Sequence, residues 1–346
     1  MNGADQVASA HKISWHREKL ETYLKGEYIA PVTLELDITS KCTRVCEDCP
    51  SCRSPIHMEL SLPFIDELFA SFEKQTKGLL MTGGEPTSST NFSETLKLAR
   101  ARGFEEIAVV TNGSLLDNPV VLEALLEHAS TIRVSMYDWD LDLHGGITSI
   151  LKKIELVREN ILKTRSLLQI GISALTSEER VPRFAELVEK VRDTGADWIY
   201  FHPMCTGWSD GHLKPVSQTG VMDEMLRIKQ SNNGQNFGVY ISDKRYMDTP
   251  ITFIGYHAAH FLMVVGADGK NYLGAEVKYQ PDFNICDIHA TGIGRFLRSS
   301  ERLQKIAEFL RPEVIAPVLP FPAQNPRRGD DLLLAYSSLI QETWAV

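Results

Sequence analysis

Cysteine is scarce in this chain: of 346 residues only six are cysteine, and only Cys205 and Cys286 lie outside the stretch 42–52. Long apolar runs are missing too. None is long and uninterrupted enough to cross a bilayer. The N-terminal MNGADQVASAHKISWHREKL is polar and has no apolar h-region, which argues against a secretory signal. There is no long basic run, and net charge is −9, which excludes nucleic acid as a bulk electrostatic partner. Internal repeats and low-complexity tracts are absent. The expected setting is the reducing cytoplasm, away from membranes, where clustered cysteines serve as metal ligands or redox thiols more often than as disulfides.

What is present is an average globular composition, 43% hydrophobic and 23% charged, on a chain long enough for one large domain with appendages or for two domains. Short runs rich in Val, Ile and Leu recur at 33–39, 78–84, 106–113, 131–137, 167–175 and 198–204. Their lack of polar alternation predicts parallel strands buried on both faces. Helical periodicity lies between them, over 62–76 (Leu62, Ile65, Leu68, Phe69, Phe72) and near 91–102, 118–129, 147–163 and 181–194. Six successive βα units predict a parallel sheet with right-handed crossovers, either doubly wound or a barrel. Both place ligands at the carboxyl ends of the strands. Cys42, Gly83 to Pro86, Thr111 to Gly113, Tyr137, Asp138, Ser173 and His202 to Cys205 would then share one rim. Beyond about residue 235 the pattern changes to a strand, a hairpin turning at Ala267-Asp268-Gly269, a helix near 299–310 and a Pro-rich tail.

The cysteines of CTRVCEDCPSC have the spacing C-x3-C-x2-C at Cys42, Cys46 and Cys49, with Cys52 one more x2 step on. They directly follow a strand, in a loop at the rim. Four thiolates can close a structural zinc site, though such sites usually pair two separated knuckles. Three adjacent thiolates suit a [4Fe–4S] cluster with one iron left open.

Here the chain resembles the radical S-adenosylmethionine (radical SAM) superfamily. CTRVCEDC at 42–49 is similar to its C-x3-C-x2-C signature, and LLMTGGEPT at 79–87 to its second-strand motif. The resemblance covers about 33–205 and implies an α/β fold, a partial (β/α)6 TIM-type barrel with a small C-terminal α+β extension. It implies an enzyme with two cofactors, the cluster and S-adenosyl-L-methionine. One electron from the reduced cluster would break the S–C5′ bond of SAM, and the 5′-deoxyadenosyl radical would abstract hydrogen from a substrate inside a barrel that excludes water. An electron donor such as flavodoxin or ferredoxin would be a partner.

Carried over by position, the resemblance implies Cys42, Cys46 and Cys49 as cluster ligands; the alternative triad Cys46, Cys49 and Cys52 has a spacing foreign to the family. Gly83, Gly84 and Glu85 would hold the SAM amino group, with Pro86 fixing the turn. Thr111 and Asn112 would meet the methionine or ribose, and Ser135 is similar to a fourth-strand serine near SAM. Ile172, Ser173, His202 and Pro203 would lie beside adenine. The chain departs from the pattern at Asp48, where the family has an aromatic residue.

Three residues are candidates for work on the substrate. Cys205 is either a half-buried small residue or a hydrogen-atom donor. Tyr137 and Asp138 end a strand, as solvated residues or as substrate contacts. His257 and His260 have no carboxylate at matching spacing and read as surface or core histidines. Residues 261–300 are similar to a SPASM/twitch region, but Ala275 and Glu276 stand where a cluster cysteine would fall, so a single cluster is expected, with the tail as a substrate lid. The domains expected are an N-terminal helical extension (1–30), the radical SAM core (31–235), a SPASM/twitch-like cap (236–312) and a Pro-rich tail (313–346). The substrate class expected is a small polar metabolite, a sugar, nucleoside or cyclitol of specialised metabolism. Decarboxylation (as in cytosylglucuronate decarboxylase), lyase chemistry, epimerisation and dehydrogenation stay open. A peptide-modifying enzyme and a non-enzymatic zinc protein are the alternatives.

Overall fold

The computed structural model describes residues 16–46, 49, 57–137, 146–206, 214–232, 236–241, 258–297 and 299–309. The strands are β1 (Thr33–Thr39), β2 (Gly78–Gly83), β3 (Glu106–Thr111), β4 (Thr131–Ser135), β5 (Gln169–Thr176), β6 (Trp198–Pro203), β7 (Cys205–Thr206), β8 (Lys214–Pro215), β9 (Gly238–Ile241), β10 (Leu262–Val265), β11 (Lys270–Tyr272) and β12 (Asn284–Asp287). The longer helices are α1 (Arg17–Leu24), α2 (Leu62–Ser71), α3 (Phe92–Ala101), α4 (Pro119–His128), α5 (Gly146–Thr164), α6 (Phe184–Asp193), α7 (Val221–Ser231) and α8 (Ser300–Phe309). The six strands and five helices expected between 33 and 204 are all present. The fold is α/β, and the described strands are mostly parallel.

The chain divides into two compact units. The first, from residues up to Ile107 and from Thr249 on, has strand order β12-β11-β10-β1-β2. Every residue of β1 is buried. Beside it on one edge lies β2, and on the other β10, both parallel. The C-terminal stretch that the sequence sets apart as a cap therefore contributes a strand alongside β1. Its hairpin turns where expected, with Gly269 at φ 71° and β10 antiparallel to β11.

Helix α2 shows how local sequence meets packing. Ser61 caps it by accepting from the Phe64 amide. Phe64, Ile65, Leu68 and Phe69 form its buried face. It ends five residues earlier than the periodicity suggests, because Glu73 and Lys74 take left-handed φ of 50° and 61°. Phe72 keeps its place in the core even so, packing edge-on to Phe104 at 6.2 Å. Lys19 of α1 donates to the carbonyls of Ala30, Pro31 and Gln75 (2.6–3.3 Å), tying the N-terminal helix to the strand starts. Burial pushes its pKa down to about 8. His260 packs against Tyr23 at 5.0 Å, both half-buried; His257 lies outside the described residues.

The second unit runs from Ala108 to Thr206 and from Lys214 to Asp248. Its sheet has the order β3-β4-β5-β6-β9, all parallel. β5 and β6 approach closely at Gly171, where an added Cβ would fall 2.0 Å from the Trp198 ring. Among the described residues, no helix is long and apolar enough to cross a membrane.

Candidate cofactor site

The first unit carries the cysteine loop, and its stem is closed on two sides. On one side, residues 57–60 return antiparallel to the end of β1. The Ser40 amide donates to Met58 O and the Leu60 amide to Ile38 O, both at 2.9 Å. On the other side, the Gly84 amide donates to Thr39 O (2.9 Å) and the Glu85 amide to Lys41 O (2.7 Å).

The two glycines of TGGEP are required by that approach. An added Cβ on Gly83 would lie 2.4 Å from Thr39 O, and one on Gly84 only 2.0 Å from Lys41 O. Gly83 also has φ 124°, which disfavours any other residue. What the glycines visibly approach is the backbone leading into the cysteine loop. The Glu85 carboxylate, fully buried, accepts from the Thr87 amide (3.2 Å) and hydroxyl (2.6 Å). It thereby caps the short 3-10 turn Pro86–Ser88.

Glu59 is a residue that sequence spacing did not single out. Its carboxylate accepts from Ser89 Oγ at 2.7 Å and from the Thr90 amide and hydroxyl at 3.0 Å, with Lys41 Nζ at 3.6 Å. Partial burial pushes its pKa up, but the bonds from Ser89 and Thr90 and the nearby lysine outweigh that and hold it below the usual carboxylate value. Glu59 thus ties the far stem of the loop to the segment after β2.

Cys42 is exposed, Cys46 and Cys49 are half-buried, and none of the three is in a disulfide. The Arg44 amide points to Cys42 Sγ at 3.4 Å. Among the described residues, no three Cys, His, Asp or Glu side chains are gathered as a metal site. Asp48 and Cys52 lie outside the described residues. The donor set still fits an iron–sulfur cluster: three thiols spaced over eight residues, accessible, on a loop clamped at both ends.

The second unit holds the other named strand ends. After β3, Thr111 Oγ1 accepts from the Gly113 amide (3.0 Å) and Asn112 Oδ1 from the Ser114 amide (2.9 Å). Ser135 pairs in register with Ser173. Ser173, 1% exposed, shares a hydrogen bond with His202 Nε2 at 2.8 Å. The His202 ring stacks on Tyr200 at 5.4 Å and meets Tyr137 edge-on at 5.7 Å. Ile172 and Pro203, the neighbours of Ser173 and His202 along β5 and β6, are buried as well. The structure thus brings Tyr137, Ser173 and His202 together at the ends of β4, β5 and β6. Arg180, also not anticipated, donates to the carbonyls of Tyr137 (3.0 Å) and Leu175 (3.3 Å), pinning those ends. The Cys205 backbone belongs to β7, but its side chain and all of Asp138 lie outside the description.

Comparison with known proteins agrees with this frame. Residues 36–154 match the Radical SAM superfamily model, so the chain carries a domain of that superfamily, whose cofactors are a [4Fe–4S] cluster and SAM. Streptococcus suis SuiB, solved bound to S-adenosylmethionine, is similar in fold with a TM-score of 0.63 at 13% identity, over 84% of this chain and 71% of that one. The anSMEcpe structure with bound AdoMet aligns with a TM-score of 0.59 at 13% identity, over 91% and 93%. In sequence, the chain is 31% identical over 104 residues to the 7,8-dihydro-6-hydroxymethylpterin dimethyltransferase of Methanocaldococcus jannaschii. That match spans 28% of this chain and only 20% of the relative.

Proposed function

We propose that this chain is a radical SAM enzyme that loads one [4Fe–4S] cluster on Cys42, Cys46 and Cys49 and acts on a small polar metabolite. The observation that carries the reading is the double clamp on the cysteine loop. The TGGEP backbone and Glu59 fix the two stems of a segment that presents three thiols. When bound, the cluster would supply the electron that cleaves SAM to the 5′-deoxyadenosyl radical, which takes a hydrogen atom from substrate.

The chain's own part is to bind and orient. Gly83 and Gly84 keep the motif's backbone against the loop, leaving no room for a side chain. Thr111, Asn112, Ser135, Ile172, Ser173, His202 and Pro203 are proposed as SAM contacts on their strand-end positions, with the Ser173–His202 pair as the polar handle. Tyr137, Asp138 and Cys205 are proposed to serve the substrate, and a flavodoxin or ferredoxin to deliver electrons. The pterin enzyme matched in sequence supports a small-molecule substrate.

A second reading, a peptide-modifying enzyme, is favoured by one observation. SuiB has been solved with the precursor peptide SuiA and anSMEcpe with peptides. The two are separated by incubating anaerobically reconstituted protein with SAM, dithionite and panels of sugars, nucleosides, cyclitols and peptides. The proposal expects 5′-deoxyadenosine formation to rise with a small polar compound. Stimulation by peptides alone would replace the first reading with the second.

A further inference from the structure

Inside the first unit lies a charged network that none of these roles uses. Lys278 Nζ stands 2.9 Å from both Glu35 Oε1 and Asp37 Oδ1. Tyr279 donates its hydroxyl to Asp37 Oδ2 at 2.7 Å and accepts from the Ala267 amide at 3.1 Å. Glu35, Asp37 and Lys278 are at most 5% exposed, and Tyr279 is buried. Burying two acids and a lysine costs more desolvation than an apolar set of the same size would, so such a network is weak evidence for stability. A role in fixing one geometry accounts for it better, and its location says which geometry.

Asp37 is the last residue of β1 in regular register with β2, opposite Thr82. The next pair is Thr39 with Gly83, and the register shifts between them. Such bulges bend a strand and re-aim the chain beyond them. Just beyond this one stand Thr39 O and Lys41 O, the two acceptors of the TGGEP clamp. The Asp37 side chain sits against the same spot, its Cβ 3.2 Å from where a Gly83 Cβ would be. The groups that hold Asp37 come from 241 and 242 residues further along the chain.

We propose that Lys278 and Tyr279 are positioning residues: by pinning Asp37 they fix the register shift that aims β1 into the cysteine loop. The C-terminal segment is then part of the cofactor-binding apparatus and does more than cover it. This rests on reading the loop as the cluster carrier, but its first test does not need the cluster.

Amide hydrogen exchange would be compared in the full-length apoprotein and in a neutral variant, Glu35→Gln/Asp37→Asn/Lys278→Met, which leaves no charge buried alone. The proposal expects peptides covering 38–41 and 83–86 to exchange about tenfold faster, with peptides from β4 and β5 unchanged. After anaerobic reconstitution the variant should take up less iron than the wild type and bind SAM about tenfold more weakly. Should the neutral variant not fold, Tyr279→Phe removes a single hydroxyl and carries the same comparison. Wild-type exchange at 38–41 and 83–86, or uniform acceleration across both units, would overturn the proposal. Wild-type protein that takes up no iron would defeat the cluster reading, while the exchange result still decides the positioning role.

Discussion

At the scale of single residues, close approach and burial do more than chemical identity. Gly84 is required by contact with its own chain, because Lys41 O stands where a Cβ would go. Gly84→Ala should therefore cost about 1–3 kcal/mol, the range for overpacking, measured by urea unfolding. It should also lower iron uptake, because the clamp on the loop opens. Lys278→Met should cost more, about 3–5 kcal/mol, since it leaves two buried acids facing each other without their cation.

Glu59 gives a pH signature. Its folded pKa lies below the ordinary 4.5, so its contribution is complete above that value and is lost as pH falls through the depressed one. As pH falls below the ordinary carboxylate value, wild-type stability should fall more steeply than that of Glu59→Gln. Equal slopes in denaturant titrations would show that the carboxylate does not hold the stem. The roles of Glu59, Arg180 and Lys278 could not be read from the sequence, because each acts on a partner distant along the chain. Cys42, Cys46, Cys49 and TGGEP stand out in the sequence as candidates, because their signal is local spacing.

At the scale of elements, the βα alternation is legible almost to the residue. The sequence pattern puts β1 at 33–39, and the strand is Thr33–Thr39; it puts α4 near 118–129, and the helix is Pro119–His128. Buried strands without alternation and amphipathic helices leave strong local signals. Helix α2 ends early where two residues turn left-handed, a choice the periodicity cannot carry. Strand pairing is less legible. Residues 262–265 announce a strand, but nothing local says that it lies parallel to β1, because pairing partners are set by the tertiary fold. The β5–β6 pair offers a direct check. Gly171→Ala would drive a methyl group to 2.0 Å from Trp198 and should cost about 1–3 kcal/mol. Pairing it with Trp198→Leu should recover part of that loss, a coupling that a double-mutant cycle reads.

At the scale of the whole molecule, the chain is a mostly parallel α/β protein that carries a radical SAM superfamily domain over residues 36–154. Two groups of side chains proposed to be functional stand at strand ends, one in each compact unit. The central claim is that CTRVCEDCPSC holds an iron–sulfur cluster through its first three cysteines. Iron and sulfide should be counted after anaerobic reconstitution of the wild type and of Cys42→Ala, Cys46→Ala, Cys49→Ala and Cys52→Ala. The account predicts about four irons per chain in the wild type and in Cys52→Ala, and loss of the cluster in each of the other three. Zinc in place of iron, or a cluster that survives Cys42→Ala but not Cys52→Ala, would contradict it.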